Sequence, residues 1–130
     1  MNQSRKFHVV WGIIVVAVLV FLDQWSKQLA VYSLAGKKDF IIIPGVLQFH
    51  YLENTGAAFS LLENKMMFFY ILTPILCAFM IFLFVKLPLE KKFLSLRILL
   101  VFLVAGAIGN YIDRVLYQYV IDFIYFSLIQ

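Results

Sequence analysis

The fold is decided by residues 98–123, ILLVFLVAGAIGNYIDRVLYQYVIDF. The first half of this segment is an uncharged apolar stretch of the kind that crosses a bilayer. The second half carries Asn110, Asp113, Arg114 and Asp122, in a chain of which only 14% is charged. Polar and ionisable groups at or near a bilayer are costly, so they usually mark function. The segment therefore predicts a membrane helix that ends in a functional site.

The composition places the whole chain in a membrane. Hydrophobic residues make up 64% of its 130 residues, against roughly half in soluble domains. A soluble protein of this length could not bury so much apolar surface. The net charge of +4 comes from a few scattered basic residues beside apolar segments, so it does not indicate nucleic-acid binding. We expect residues 1–130 to form a single integral membrane domain.

Three apolar stretches predict transmembrane helices at about 9–33, 66–85 and 95–113, because each is close to the length that spans a bilayer core. The first stretch follows a basic N-terminus and resembles a signal peptide, but no small-residue cleavage site follows it. We therefore interpret it as an uncleaved helix. In the third helix, Gly106 and Gly109 are small residues three apart, which would let a neighbouring helix approach closely.

The region between the first two helices has a different character. Residues 39–60 contain β-branched apolar runs and turn signals at Pro44-Gly45 and at Asn54-Thr55-Gly56. They predict a small β-hairpin outside the hydrocarbon, because bare strand edges cannot face lipid tails. Residues 114–130 are rich in aromatic side chains, and we interpret them as a tail at the membrane–water interface.

With three helices in sequence, the notable polar residues gather at one membrane surface. Asp23 and Lys27 are four apart near the end of the first helix, so they share one face. They are either a surface ion pair of little value or charges turned inward toward a polar partner. Asn110, Asp113 and Arg114 share one face at the end of the third helix. The topology alone brings both groups to the same surface.

The residue types at this surface favour carboxylate chemistry. No His, Cys and Glu cluster has the spacing of metal ligands, and the serines lack the context of a nucleophile. Two aspartates that share a proton can activate water for peptide hydrolysis. Asp122 is the better candidate, because its apolar neighbours favour the neutral acid. Asp113, next to Arg114, is expected to be held ionised in a structural ion pair, although it could serve as the second carboxylate if the chain folds back.

Four short motifs resemble those of bacterial lipoprotein signal peptidase, also called signal peptidase II. They are Asp23-Gln24-Trp25-Ser26-Lys27, Glu53–Ser60, Gly109–Arg114 and Val120–Phe123. The resemblance covers essentially the whole chain. It implies a four-helix aspartic endopeptidase of the bacterial inner membrane, with a cytoplasmic N-terminus and no metal or other cofactor. It also implies a small β-cradle and an active site that faces the outside of that membrane.

The resemblance further implies a substrate and a role for each motif residue. The substrate is a prolipoprotein that carries a diacylglyceryl group on a cysteine, and the bond before that cysteine is cut. Membrane lipids surround the site, and globomycin-type cyclic peptides block it. Asp122 matches the first catalytic aspartate. The residues that match substrate-binding or supporting positions are Asp23, Lys27, Asn54, Gly56, Asn110, Asp113 and Arg114.

The sequence departs from the family pattern in one respect. In the family, the second catalytic aspartate lies in a later Asn-x-Ala-Asp segment that opens a fourth helix. Residues 123–130 contain no such segment. We therefore expect this chain to hold three of the four helices, to lack the second aspartate and to be inactive alone. The competing interpretation is a non-catalytic membrane scaffold or a degenerate homologue, which explains the helices but not the four motifs.

Overall fold

Three long helices make up most of the computed structural model, which describes residues 2–55 and 65–126. Helix α1 runs Gln3–Leu34, α2 runs Met66–Lys86, and α3 runs Leu94–Tyr117 after a single 3-10 turn. All three are long and apolar enough to cross a membrane. The predicted fold class, a membrane helical protein with a small β region, is confirmed.

Helix α1 begins nearer the N-terminus than the hydrophobic pattern predicted. Asn2 Oδ1 accepts a hydrogen bond from the backbone N–H of Arg5 at 2.8 Å, which caps the first turn. The Arg5 guanidinium then donates to the carbonyl oxygens of Val85 and Leu87, the latter at 3.0 Å. Because 32 residues extend about 48 Å, α1 projects beyond the hydrocarbon, and its polar start is tied to the end of α2.

Helix α3 lies at the centre of the bundle and packs against both α1 and α2. Its most buried apolar side chains include Val101, Val104 and Ala105. Of the two glycines expected to permit close helix approach, only Gly109 does so. The Asp23 side chain of α1 occupies the space where a Cβ of Gly109 would lie, whereas no described atom lies within 4 Å of the corresponding position at Gly106.

A three-stranded antiparallel sheet lies at one end of the bundle, which we call the sheet end. Strands β1 (Phe40–Ile43), β2 (Leu47–Asn54) and β3 (Val120–Phe126) are arranged in the order β1-β2-β3. The turn between β1 and β2 passes through Gly45, whose φ of +76° is a left-handed value that glycine adopts at little cost. The predicted hairpin is therefore present, and a third strand extends it.

Strand β3 falls in the segment, residues 114–130, that the sequence analysis interpreted as an interfacial tail. The structure gives the first part of this segment a form that the sequence did not predict, the last turn of α3 and a strand, and the interfacial position stays a prediction. Gln118 ends α3 in a left-handed conformation, with φ of 66°, and the chain then turns back so that Asp122 pairs with Leu52 of β2. The run VIDFIYF is rich in β-branched and aromatic residues, which is a strand signal. Aromatic residues are also enriched at membrane–water interfaces, so the same run fits both interpretations.

Candidate active site

A buried lysine lies at the centre of the polar contact between α1 and α3. Lys27 Nζ is 3.0 Å from Asp23 Oδ2 and 3.0 Å from Asp113 Oδ2, and it donates to Asn110 Oδ1 at 3.0 Å. Lys27 is only 5% exposed. The sequence left two arrangements open for Asp23 and Lys27, a surface ion pair or charges turned inward toward polar partners. The structure shows the second. An ammonium group has three N–H donors, and here three oxygens accept them.

Asp113 joins the two helices to the sheet. Its Oδ2 also accepts a hydrogen bond from the buried backbone N–H of Ile121 at 3.0 Å, and its Oδ1 accepts one from Gln24 Nε2 at 3.1 Å. The residue as a whole is 0% exposed. The sequence predicts an ion pair of Asp113 with Arg114, but the structure pairs the Asp113 carboxylate with Lys27, at 3.0 Å. Asp113 thereby holds the residue that precedes Asp122.

Gln24 is a member of this cluster to which the sequence analysis gave no role. Its side-chain nitrogen lies 3.0 Å from Asp23 Oδ2, 3.1 Å from Asp113 Oδ1 and 3.1 Å from the carbonyl oxygen of Gly109. The signal was present in its spacing, because Gln24 precedes Lys27 by three residues and so shares its helix face. Together these contacts form a continuous network from α1 through α3 to β3.

Asp122 lies on β3 and is only partly buried. Its Oδ2 accepts a hydrogen bond from Asn54 Nδ2 at 3.0 Å. Asn54 comes from the end of the neighbouring strand β2 and is 8% exposed. The guanidinium of Arg114 interacts electrostatically with the Asp122 carboxylate. The structure thus gives this partly exposed carboxyl group a buried amide donor and an electrostatic interaction with a cation.

Helix α2 sets the position of Arg114. The guanidinium carbon lies 4.0 Å from the centroid of the Phe69 ring, a cation–π contact. The hydroxyl of Tyr70 donates to the backbone carbonyl of Arg114 at 2.8 Å. Tyr70 was not identified from the sequence, because an aromatic residue in an apolar run carries no signal of such a contact. All three helices therefore contribute to the surroundings of the sheet end.

Nearly all the predicted site residues meet at the sheet end. They are Asp23, Lys27, Asn54, Asn110, Asp113, Arg114 and Asp122. The remaining one, Gly56, lies outside the described residues. Within residues 2–55 and 65–126, no group of three or more His, Cys, Asp or Glu side chains could hold a metal ion.

Residues 15–130 match the family model described as signal peptidase (SPase) II. The chain belongs to the signal peptidase II family. This match and the three apolar helices identify a membrane protein that crosses the bilayer more than once. The four motifs recognised in the sequence are therefore those of a true family member.

Relatives within the signal peptidase II family support the same assignment. A lipoprotein signal peptidase of Enterococcus faecalis is 52% identical over 108 residues, which cover 82% of this chain and 65% of that protein. One of Caldanaerobacter subterraneus subsp. tengcongensis is 40% identical over 116 residues, covering 89% of this chain and 78% of that protein. A bacterial membrane enzyme solved by the in meso method at 1.9 Å resolution is 33% identical, with a TM-score of 0.73 over 91% of this chain and 75% of that one.

The substitution Gly109→Ala is expected to destabilise the contact between α1 and α3. An added Cβ would overlap Asp23 Oδ2 and lie 2.7 Å from its Cγ. Asp23 cannot move aside without losing Lys27 and Gln24, so we expect a loss of about 1–3 kcal/mol, as for overpacked cores. Unfolding in mixed detergent micelles measures this loss.

The matched control is Gly106→Ala, one helical turn away on the same helix. Its added Cβ would meet no described atom within 4 Å, and alanine favours helix over glycine by about 1 kcal/mol. This variant should therefore be as stable as the unmodified chain or more so. Equal stability of the two alanine variants would contradict the tight contact at Gly109.

Proposed function

We propose that this chain provides one carboxylate and much of the substrate-binding surface of a membrane aspartic endopeptidase. The enzyme removes signal peptides from diacylglyceryl-modified prolipoproteins by cutting before the lipidated cysteine. Membership of the signal peptidase II family and the lipoprotein signal peptidases among its relatives support the substrate class. The observation that carries the residue assignment is the setting of Asp122, a partly exposed carboxyl group bonded by Asn54 beside Arg114.

In the proposed mechanism, Asp122 and a second carboxyl group share one proton. One of them accepts a proton from a water molecule, which attacks the peptide carbonyl carbon, and the other donates a proton to the leaving amine. The Asn54 bond to Oδ2 restrains the Asp122 side chain, so we assign the other oxygen, Oδ1, to the water. Arg114 is assigned to binding the polar backbone of the substrate or the charge that develops on its carbonyl oxygen.

We place the second carboxyl group outside residues 2–55 and 65–126. Asp113 is the described carboxylate nearest in sequence, but it is fully buried and hydrogen-bonded by Lys27, Gln24 and Ile121. An oxygen that accepts such bonds has little freedom to exchange protons with water. Asp113 is therefore assigned to holding β3 in place.

Glu53 is also an unsuitable partner for Asp122. It pairs with Ile121, whereas Asp122 pairs with Leu52, and successive strand residues point to opposite faces. The Tyr51 hydroxyl donates to Glu53 Oε2 at 3.0 Å. Burial, with hydrogen bonds to Tyr119 and Glu53, raises the pKa of Tyr51 above its ordinary value.

The position of the site along the bundle suits the proposed substrate. A signal peptide helix and the acyl chains of a lipidated cysteine both lie in the bilayer, so the bond between them lies near a membrane surface. Asp122, Asn54 and Arg114 lie at the sheet end, where α3 leaves the apolar span. We propose that the N-terminus is cytoplasmic, that the sheet end faces the outside of the inner membrane, and that globomycin-type peptides bind there.

A cleavage assay with two proteins tests the proposal. One is the 130-residue chain, and the other is the same chain fused in register to the C-terminal segment of the Enterococcus faecalis relative. With a synthetic diacylglyceryl-modified precursor peptide, we expect cleavage before the modified cysteine by the fusion and none by the 130-residue chain. The same peptide without lipid should remain intact, and a metal chelator should change nothing.

Two results would contradict this scheme. A fusion that folds and binds the lipidated precursor without cutting it would refute the peptidase assignment. Cleavage by the 130-residue chain itself, lost in Asp122→Asn, would show that this chain already contains both carboxyl groups.

A further inference from the structure

Strand β1 exposes an unusual run of apolar side chains. Phe40, Ile41, Ile42 and Ile43 are 64%, 58%, 42% and 49% exposed. Since successive strand residues point to opposite faces, both faces of the strand are apolar. In the described sheet, β1 pairs only with β2, so its other edge has no strand partner among residues 2–55 and 65–126. Natural edge strands are usually protected by charges, proline or short length. With four residues, β1 is short, but its side chains still form an exposed apolar patch, and such a patch marks an interaction surface.

This surface follows the exposed apolar end of α1 closely in the chain. Leu29 and Tyr32, in the last two turns of α1, are 45% and 78% exposed, and β1 follows after a short turn. Exposed tyrosines at the ends of membrane helices lie at the level of the lipid headgroups. The edge strand thus leaves the bundle at the height of a membrane surface, in the same sheet as Asp122 but across β2 from it.

The turn between α1 and β1 carries positive charge. Lys37 and Lys38 are both exposed. Lys37 Nζ donates to the carbonyl oxygen of Tyr32 at 2.8 Å and lies 4.9 Å from the centroid of its ring. The neighbouring carboxylate, Asp39, contacts His50 Nδ1 at 2.9 Å on the sheet. Two lysines beside an apolar strand are complementary to a layer of anionic headgroups over acyl chains.

We propose that Phe40–Ile43, with Lys37 and Lys38, is a docking surface for the anionic headgroup layer of the bilayer at the sheet end. The unpaired backbone edge cannot enter the hydrocarbon, because its polar groups would lose their hydrogen bonds. The headgroup layer supplies water and phosphate oxygens for that edge, while the apolar side chains reach the first acyl carbons. Docking of β1 fixes the height of β2 and β3, which carry Asn54 and Asp122. This inference does not depend on the peptidase assignment.

Spin labelling of the 130-residue chain in vesicles tests the proposal. A nitroxide is attached at Ile42→Cys in a Cys77→Ala background, and its collisions with oxygen, which concentrates in bilayers, are compared with those of a water-soluble nickel complex. In vesicles of phosphatidylcholine and phosphatidylglycerol, the label at residue 42 should collide more often with oxygen than with the nickel complex. A label at Glu53→Cys, exposed on the neighbouring strand, is the matched control and should favour the nickel complex. A label on native Cys77 in α2 gives the value for the membrane interior.

The lysines are tested in the same assay. In vesicles with phosphatidylglycerol, Lys37→Gln/Lys38→Gln should raise the collision rate of the residue 42 label with the nickel complex relative to oxygen. In pure phosphatidylcholine, the ratio of the two collision rates should not change. Lys37→Arg/Lys38→Arg should behave like the unmodified chain. An unchanged collision ratio in the glutamine variant would refute the role of anionic headgroups in docking. Dominance of the nickel complex at residue 42, or spin–spin coupling between chains that indicates β1 pairing of two copies, would refute membrane docking itself.

Discussion

Asp122→Asn is expected to reduce kcat for cleavage of a diacylglyceryl-modified precursor by about 10²–10⁴-fold, the range that general acid–base groups contribute. Asparagine has nearly the shape of aspartate, and its side-chain oxygen can still accept the bond from Asn54 Nδ2. It cannot accept or release a proton, so the chemical step is lost while the surroundings remain. KM should change little. The measurement is the initial rate of peptide cleavage by the fusion protein over a range of substrate concentrations.

The matched control is Asp39→Asn, another carboxylate at the sheet end. Asp39 contacts Gln48 and His50 on the part of the sheet farther from Asp122 along β2. This substitution should leave kcat unchanged. If the Asp122→Asn and Asp39→Asn fusions both had the kcat of the unmodified fusion, Asp122 would be excluded from the reaction.

Lys27→Met is expected to destabilise the fold by about 3–5 kcal/mol, the cost of breaking a buried ion pair by removing one partner. The substitution keeps an unbranched side chain but leaves Asp23 and Asp113 facing each other without the ammonium group that now lies 3.0 Å from each. Asp113 is fully buried, so water cannot compensate. Unfolding in mixed micelles, followed by circular dichroism, measures the change.

A double variant separates the ion pair from simple packing. Lys27→Met/Asp113→Asn removes one charge of each sign, so its loss of stability should be clearly smaller than the sum of the two single losses. Lys92→Met is the control, because Lys92 and Glu90 are 3.7 Å apart and their side chains are 72% and 64% exposed. That pair should contribute less than about 1 kcal/mol. Equal losses for Lys27→Met and Lys92→Met would contradict the buried network.

The network also links stability to the candidate site. Lys27 holds Asp113, and Asp113 holds the backbone N–H of Ile121, the residue before Asp122. Loss of either side chain should therefore loosen the first residues of β3 before it affects the middle of the helices. Faster amide hydrogen exchange at Ile121 in Asp113→Asn would report this directly, since exchange measures local opening.

The sequence by itself determined the class of the protein, its family and the principal candidate residue. Helix length and apolar composition are local properties, so three spans were visible without a structure. The four motifs are also local runs of residues, and Asp122 was identified from one of them together with its apolar neighbours. Asp23 and Lys27 were recognised as sharing a face because residues four apart are neighbours on the surface of a helix.

Only the tertiary structure decided which groups touch. Lys27 bonds Asn110 across 83 residues, and Asn54 bonds Asp122 across 68. Neither choice is encoded in a local pattern. The same holds for Asp113, whose sequence neighbour Arg114 suggested an ion pair, while helix packing placed Lys27 at 3.0 Å. Gly109 and Gly106 look alike in the sequence, yet only Gly109 faces Asp23. Partner selection depends on the rotation and register of whole elements, because those set which side chains share a buried space.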